Sequence, residues 1–141
     1  MRRLGFTILL ACLLILAGAA TLYWPKGKLD LGLYHAQKMY DLGEGQPGKA
    51  LKTSVRLWNL GLKPVTIEEV SACCGSDAKL RGGAKKKSIR PLCSAVVDVE
   101  IFIPSEKGSS TKSIEINMSR GKEHSFDYLV FQYYSPGKAG A

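Results

Sequence analysis

The sequence predicts an all-β antiparallel sandwich placed behind one amino-terminal apolar helix. Three observations carry that expectation. Short segments alternate apolar and polar residues with a period of two over most of the body. Clusters of Gly, Pro, Ser and Asn separate those segments at short intervals. A single uncharged run, Gly5 to Trp24, precedes them all. The 141 residues leave room for one domain. Twenty Lys and Arg against 12 Asp and Glu give a net charge of +8. Length and composition exclude a large multidomain enzyme and a wholly disordered chain, and the lack of a second long apolar run excludes a polytopic membrane protein.

In chain order, Arg2 and Arg3 precede the run GFTILLACLLILAGAATLYW. At 1.5 Å per residue its 20 residues make a helix of about 30 Å, the thickness of a bilayer's hydrocarbon core. Tyr23 and Trp24 stand where interfacial aromatics are expected, and Pro25 provides a stop. A cleaved secretory signal is the competing reading, with small residues at Ala17 and Ala19. A lipoprotein box at Leu9-Leu10-Ala11-Cys12 has too short an apolar stretch before it. Cys12 then reads as a small hydrophobe. Arg2, Arg3 and the terminal amine favour an inside amino terminus, a bias that Lys26 and Lys28 weaken. The body is therefore expected outside the cytoplasm. The expected divisions are 1–24 anchor or signal, 25–37 tether, 38–135 sandwich and 136–141 loose tail.

LDLGLYH and KMYDLG suggest the tether followed by a first edge strand, closed by a turn cluster at Gly43, Gly45, Pro47 and Gly48. ALKTSVRLWNL alternates through Leu51, Thr53, Val55 and Leu57. After a turn from Asn59 to Pro64, the period resumes at Val65 and Ile67 and slips toward Val70. SAVVDVEIFIP places Ala95, Val97, Val99, Ile101 and Ile103 on one face. TKSIEINMS repeats the design with Ile114, Ile116 and Met118, and FDYLVFQYY closes the series. No segment holds a 3.6-residue period over a helical length. A body of about 100 residues with this many short strands suits a seven-strand sandwich.

MYDLGEGQPGKALKTSVRLWNLGLKPVTIEEVSACCGS resembles the opening of short bacterial immunoglobulin-like domains of unknown function, related to the Hydin-like sandwiches. Tyr40, Asp41, Leu42 and Gly43 match that family's opening phrase. Asn59, Leu60 and Gly61 match its turn, Lys63 and Pro64 its hairpin, and Cys73, Cys74 and Gly75 its cysteine phrase. The chain departs from the family at Cys73, where Ser is usual, and at Ser76, where a second Cys is usual. Pro91, Leu92 and Cys93 replace its Pro-Gly turn. The likeness spans about residues 38 to 119. It implies an immunoglobulin-like sandwich on a bacterial cell surface, here a single-pass inner-membrane protein, or a secreted one if the run is cleaved. It is nearly silent on function. Asp41, Gly43, Asn59, Gly61 and Pro64 read as structural turn residues: Asp41 accepts from turn amides, Asn59 and Gly61 tolerate a left-handed turn, and Pro64 opens a strand.

The body holds Cys73, Cys74 and Cys93. Outside the cytoplasm, one disulfide from Cys93 to Cys74 or to Cys73 is expected. The alternatives are free buried thiols, or three thiolates that bind a soft metal ion or exchange redox partners. Neither His35 nor His124 lies near them in sequence. GAKKKS and GEGQPG lack the spacing and context of phosphate-binding loops, and no nucleophile elbow is present. No enzyme activity, cofactor, small-molecule substrate or nucleic acid is expected.

Lys79, Arg81, Lys85, Lys86, Lys87 and Arg90 put six positive charges within twelve residues. They read as a solvated hairpin or as a basic contact loop for lipid headgroups or an acidic partner. FDYLVFQYY has five aromatics in nine residues, and its half-exposed face, set beside the basic loop, is the expected contact surface. Two function classes follow. One is a non-catalytic membrane-anchored envelope protein that binds or scaffolds a protein partner as an accessory subunit. The other is a thiol-dependent metal or redox helper using Cys73, Cys74 and Cys93.

Overall fold

The computed structural model describes residues 11–15, 17–18 and 26–137. Residues 11–15 and 17–18 are helical, with Leu13, Leu14 and Ile15 exposed. Among the described residues no helix is long and apolar enough to cross a membrane. Most of the run from Gly5 to Trp24, including Tyr23 and Trp24, lies outside them.

The remainder forms ten strands: β1 (Gly27–Lys28), β2 (Leu33–His35), β3 (Tyr40–Glu44), β4 (Ala50–Asn59), β5 (Val65–Ala72), β6 (Ser76–Leu80), β7 (Lys87–Ile89), β8 (Ser94–Phe102), β9 (Gly108–Arg120) and β10 (Glu123–Ser135). They build two five-stranded sheets, ordered β1-β2-β4-β8-β6 and β3-β10-β9-β5-β7. The pairings are antiparallel apart from β3, which runs parallel to β10. That exception follows from the chain path. Residues 36–39 carry the chain from one sheet to the other without reversing it, so β3 continues the direction of β2. The registers then define two ends. Asn59, Val65, Ile89, Ser94, Arg120 and Glu123 lie at one, here the Asn59 end. The turn at Cys73–Gly75 lies at the other, the Cys74 end.

Alternation in the strands places the core. Val55 and Leu57 from β4 and Ala95, Val97, Val99 and Ile101 from β8 face Ile114, Ile116 and Met118 from β9 and Leu129, Phe131 and Tyr133 from β10, all at most 3 % exposed. Each large side chain so buried contributes about 1.5–3 kcal/mol of transfer free energy. The slip toward Val70 is a bulge. The β5–β9 register shifts between Ile67 and Glu69, so Glu68 is the extra residue.

The segment expected as a tether belongs to the sandwich. Leu29 is 2 % exposed, Leu33 0 % and His35 3 %. β2 pairs with β4, and β1 pairs with β2. Each apolar island is too short to show a period, and cross-strand partners make it a strand. His35 Nδ1 and the Tyr40 hydroxyl lie 3.0 Å apart. Their rings stack at 5.7 Å, and Tyr40 stacks on Phe131 at 5.3 Å. This column ties the first strands to β10. Burial lowers the His35 pKa, its largest influence.

Candidate binding surface

The turn at Cys73–Gly75 carries the chain from β5 in one sheet to β6 in the other, so the two strands diverge along an open side of the sandwich. β6 is an edge strand. β7 covers β5 only at Val65–Ile67, which leaves residues 69–72 without a neighbour on that side. Between them lies a groove of about 500 Å³. Val70, Ala78 and Leu80 form its floor, and Lys79, Lys85, Lys86, Glu68 and Glu69 line it with charge. Val70 and Ala78 are half-buried and pack against the core.

The backbone of β6 faces this side. The Arg81 N–H donates to the Val96 carbonyl at 2.9 Å, and the Phe102 N–H donates to the Gly75 carbonyl at 2.8 Å. In an antiparallel ladder, paired residues alternate between bonded and non-bonded. Residues 75, 77, 79 and 81 therefore turn their amides toward β8, and Ala78 turns its N–H and C=O outward. The Leu80 carbonyl, also outward, accepts from Gly83 at 3.1 Å.

The basic run is divided among different tasks. Arg81 grips Asp98 with Nη2 to Oδ1 at 2.6 Å and Nε to Oδ2 at 3.1 Å. Ser54 donates to the same carboxylate at 2.6 Å. Hydrogen bonds from Arg81 first, and then from Ser54, hold the Asp98 carboxyl at about 2. Lys86 pairs with Glu68, which also accepts from Ser119 at 2.6 Å, and these contacts lower the Glu68 pKa. Lys85, Lys87 and Arg90 have no ion-pair partner among the described residues. Lys85 lines the groove, Lys79 borders both the groove and the outer face of the sheet where it stands opposite Asp98, and Arg90 lies at the Asn59 end.

The cysteines do not converge. Cys73, Cys74 and Cys93 are exposed free thiols, and no disulfide joins Cys93 to either partner. The cause is the β6–β8 register. Ser76 lies opposite Ile101, while Cys93 precedes Ser94 at the far end of β8. At about 3.3 Å per residue the intervening strand spans about 30 Å, and a disulfide needs Cα atoms closer than about 7 Å. The same distance prevents the three thiolates from sharing a metal ion. Among the described residues no group of three His, Cys, Asp or Glu side chains is placed to hold one.

The turn residues act through hydrogen bonds. The Asp41 carboxylate accepts from the Gly43 N–H at 2.8 Å, and Gly43 has φ 70 where β3 shifts register against β10. Pro64 immediately precedes β5. Asn59 and Gly61 do not adopt positive φ. Instead the buried Asn59 side chain stitches two loops together. Its Nδ2 donates to the carbonyls of Lys63 and Ile89, both at 2.8 Å, and its Oδ1 accepts from Gly61 at 3.0 Å.

On β10, Leu129, Phe131 and Tyr133 are buried, while Phe126 and Tyr128 are exposed and pack edge to face at 6.0 Å. This aromatic face is not beside the basic loop. β9 and β5 separate β10 from β7, a distance of about 14 Å at the usual strand spacing. Sequence reasoning missed two features. The outward backbone of Ala78 depends on ladder phase. Leu62 and Leu92, exposed at 96 % and 83 %, read as ordinary apolar residues in turns.

No protein-family model matches the sequence, and no curated protein matches it. Solved structures do match in fold. A PapD-like domain of human CEP192 superposes with a TM-score of 0.57 at 12 % identity, covering 82 % of this chain and 93 % of that one. The Pseudomonas aeruginosa CupB2 chaperone gives 0.55 at 9 % identity, covering 74 % and 57 %. The VesB protease of Vibrio cholerae gives 0.60 at 15 % identity, covering 74 % of this chain and only 32 % of that one. The chain thus has an immunoglobulin-like, PapD-like β-sandwich fold. At these identities the likeness concerns fold alone.

Proposed function

We propose that this chain is a non-catalytic, membrane-tethered envelope protein whose sandwich binds a protein partner, as an accessory subunit of a membrane complex. The partner contributes an extended segment that adds to the free edge of β6. The observation that carries this reading is the outward N–H and C=O of Ala78 above a half-apolar groove. Strand addition uses such an edge for affinity and the flanking side chains for selection. Val70 and Ala78 suit small apolar side chains, and Lys79 and Lys85 suit acidic ones. Lys79 also discourages indiscriminate pairing of the edge. The uncharged run before the sandwich supports the tether and an extracytoplasmic body. Chaperones among the structures of like fold support a partner-holding role.

Ala78→Pro tests the proposal. It removes an outward N–H and leaves the β8 ladder its bonds, so the fold survives. A partner recovered in stoichiometric amount from native membranes in mild detergent, and lost with Ala78→Pro, supports strand addition. Equal recovery with the variant overturns it.

A further inference from the structure

The free edge of β6 offers a short and well-defined set of backbone groups. Ser76, Ala78 and Leu80 share one ladder phase, so their N–H and C=O groups point away from β8. Part of this set is used within the chain. The Ser76 N–H donates to the Cys73 carbonyl at 3.2 Å, and the Leu80 carbonyl accepts from Gly83 at 3.1 Å. The Ser76 carbonyl, both groups of Ala78 and the Leu80 N–H remain for a neighbour. An antiparallel strand related by a two-fold axis at Ala78 satisfies all of them. Ala78 then exchanges both bonds with Ala78 of the second copy, and each Leu80 N–H donates to the Ser76 carbonyl opposite. The pairing that this register forgoes, Ser76 N–H with Leu80 carbonyl, involves the two groups already bonded in the chain.

The side chains match the same axis. Asp77 and Lys79 are exposed on the outer face of the sheet. Asp77 stands opposite Glu100, a like charge already paired with Lys52 at 3.4 Å. Lys79 stands opposite Asp98, whose carboxylate Arg81 holds. Neither Asp77 nor Lys79 has an ion-pair partner among the described residues. A two-fold at Ala78 sets each Asp77 across from Lys79 of the second copy, at non-hydrogen-bonded positions where side chains approach most closely. Asp77 gains a cation on the side away from Glu100, and Lys79 gains an anion on the side away from Asp98.

We propose that the strand added to β6 is the β6 of a second copy of this chain, which joins two five-stranded sheets into one. The inference rests on strand addition at this edge and names its occupant. Ala78 and Asp77 of the second copy supply the small apolar and acidic side chains that Ala78 and Lys79 favour. A joint this short makes a weak, exchangeable dimer.

The test uses the full chain in native membranes. Ala78→Cys, with the four native cysteines changed to Ala, should form a disulfide-linked dimer under mild oxidation, because residues so paired lie about 5.5 Å apart. Thr111→Cys on β9, in the same background, should not. Asp77→Lys alone, or Lys79→Asp alone, makes both cross-strand pairs repulsive. Either should lower recovery of an untagged copy with a tagged one about tenfold. Mixing the two variants sets opposite charges at both pairs and should restore recovery, which also shows that both variants fold. Single variants that associate like the parent chain, or a mixture that does not recover, overturn the two-fold joint. A different protein held by the chain and lost with Ala78→Pro, without cross-linking of Ala78→Cys, overturns the second copy as occupant and keeps strand addition. Copies that are recovered together equally well with Ala78→Pro reject both.

Discussion

Replacing Asn59 by Ala removes the clamp between the 60–64 and 90–93 loops. Asn59 is 0 % exposed, and its side chain makes three hydrogen bonds, to the carbonyls of Lys63 and Ile89 and from the Gly61 N–H. Each is worth about 1 kcal/mol net, and the buried carbonyl of Ile89, losing its Asn59 donor, adds about 1–2 kcal/mol. The expected loss is about 3–5 kcal/mol, a large part of the 5–15 kcal/mol typical of a domain. With a urea m-value of about 1.5 kcal/mol/M, the unfolding midpoint falls by about 2–3 M. Asn59→Asp should do no better, because a carboxylate still accepts from Gly61 but opposes two carbonyls. Leu62→Ala, in the same loop and exposed, should cost less than about 0.5 kcal/mol. A loss under about 1 kcal/mol for Asn59→Ala, or one no larger than that for Leu62→Ala, would refute the clamp.

Three further outcomes are expected. Asp98 has its carboxyl held at about 2 by Arg81 and Ser54. Its contribution is full above the ordinary carboxylate value and is lost as pH falls from about 4 toward 2, so Asp98→Asn should flatten an acid-unfolding curve in that window. Burial lowers the His35 pKa, so the unfolded chain takes up the proton more readily. Stability should decline as pH falls below about 6.5 and level off once the folded form titrates, and a thermal-melt series with His35→Phe should lack that component. Leu92→Gly relieves a left-handed residue and should stabilise the fold by about 0.5–1 kcal/mol in urea unfolding. A destabilised variant would show that the Leu92 side chain packs after all.

Legibility in the sequence tracked how local the causes were. The alternation from Ala95 to Ile103 revealed a strand and its buried face, because both depend on a period of two within one segment. The slip toward Val70 was visible for the same reason, while its form, a bulge at Glu68, needed the β5–β9 register. β1 and β2 were hidden because Leu29 and Leu33 gain their burial from distant partners. The parallel β3–β10 pair, and the distance between the aromatic and basic faces, depend on sheet order. The separation of Cys93 from Cys74 depends on the β6–β8 register, which the eighteen intervening residues do not disclose. The basic run was visible as charge, but its division into Arg81–Asp98, Lys86–Glu68 and unpaired cations needed three dimensions.

Strand addition at β6 is most directly tested by a photo-crosslinking amino acid placed at Lys79 in the full chain in native membranes. The account predicts one discrete adduct, mapped by peptide mass to an extended segment of a single partner. It should be lost with Ala78→Pro and absent when the crosslinker stands at Thr111 on β9. An adduct that persists with Ala78→Pro, or one that forms equally from Thr111, would contradict recognition through the backbone of that edge.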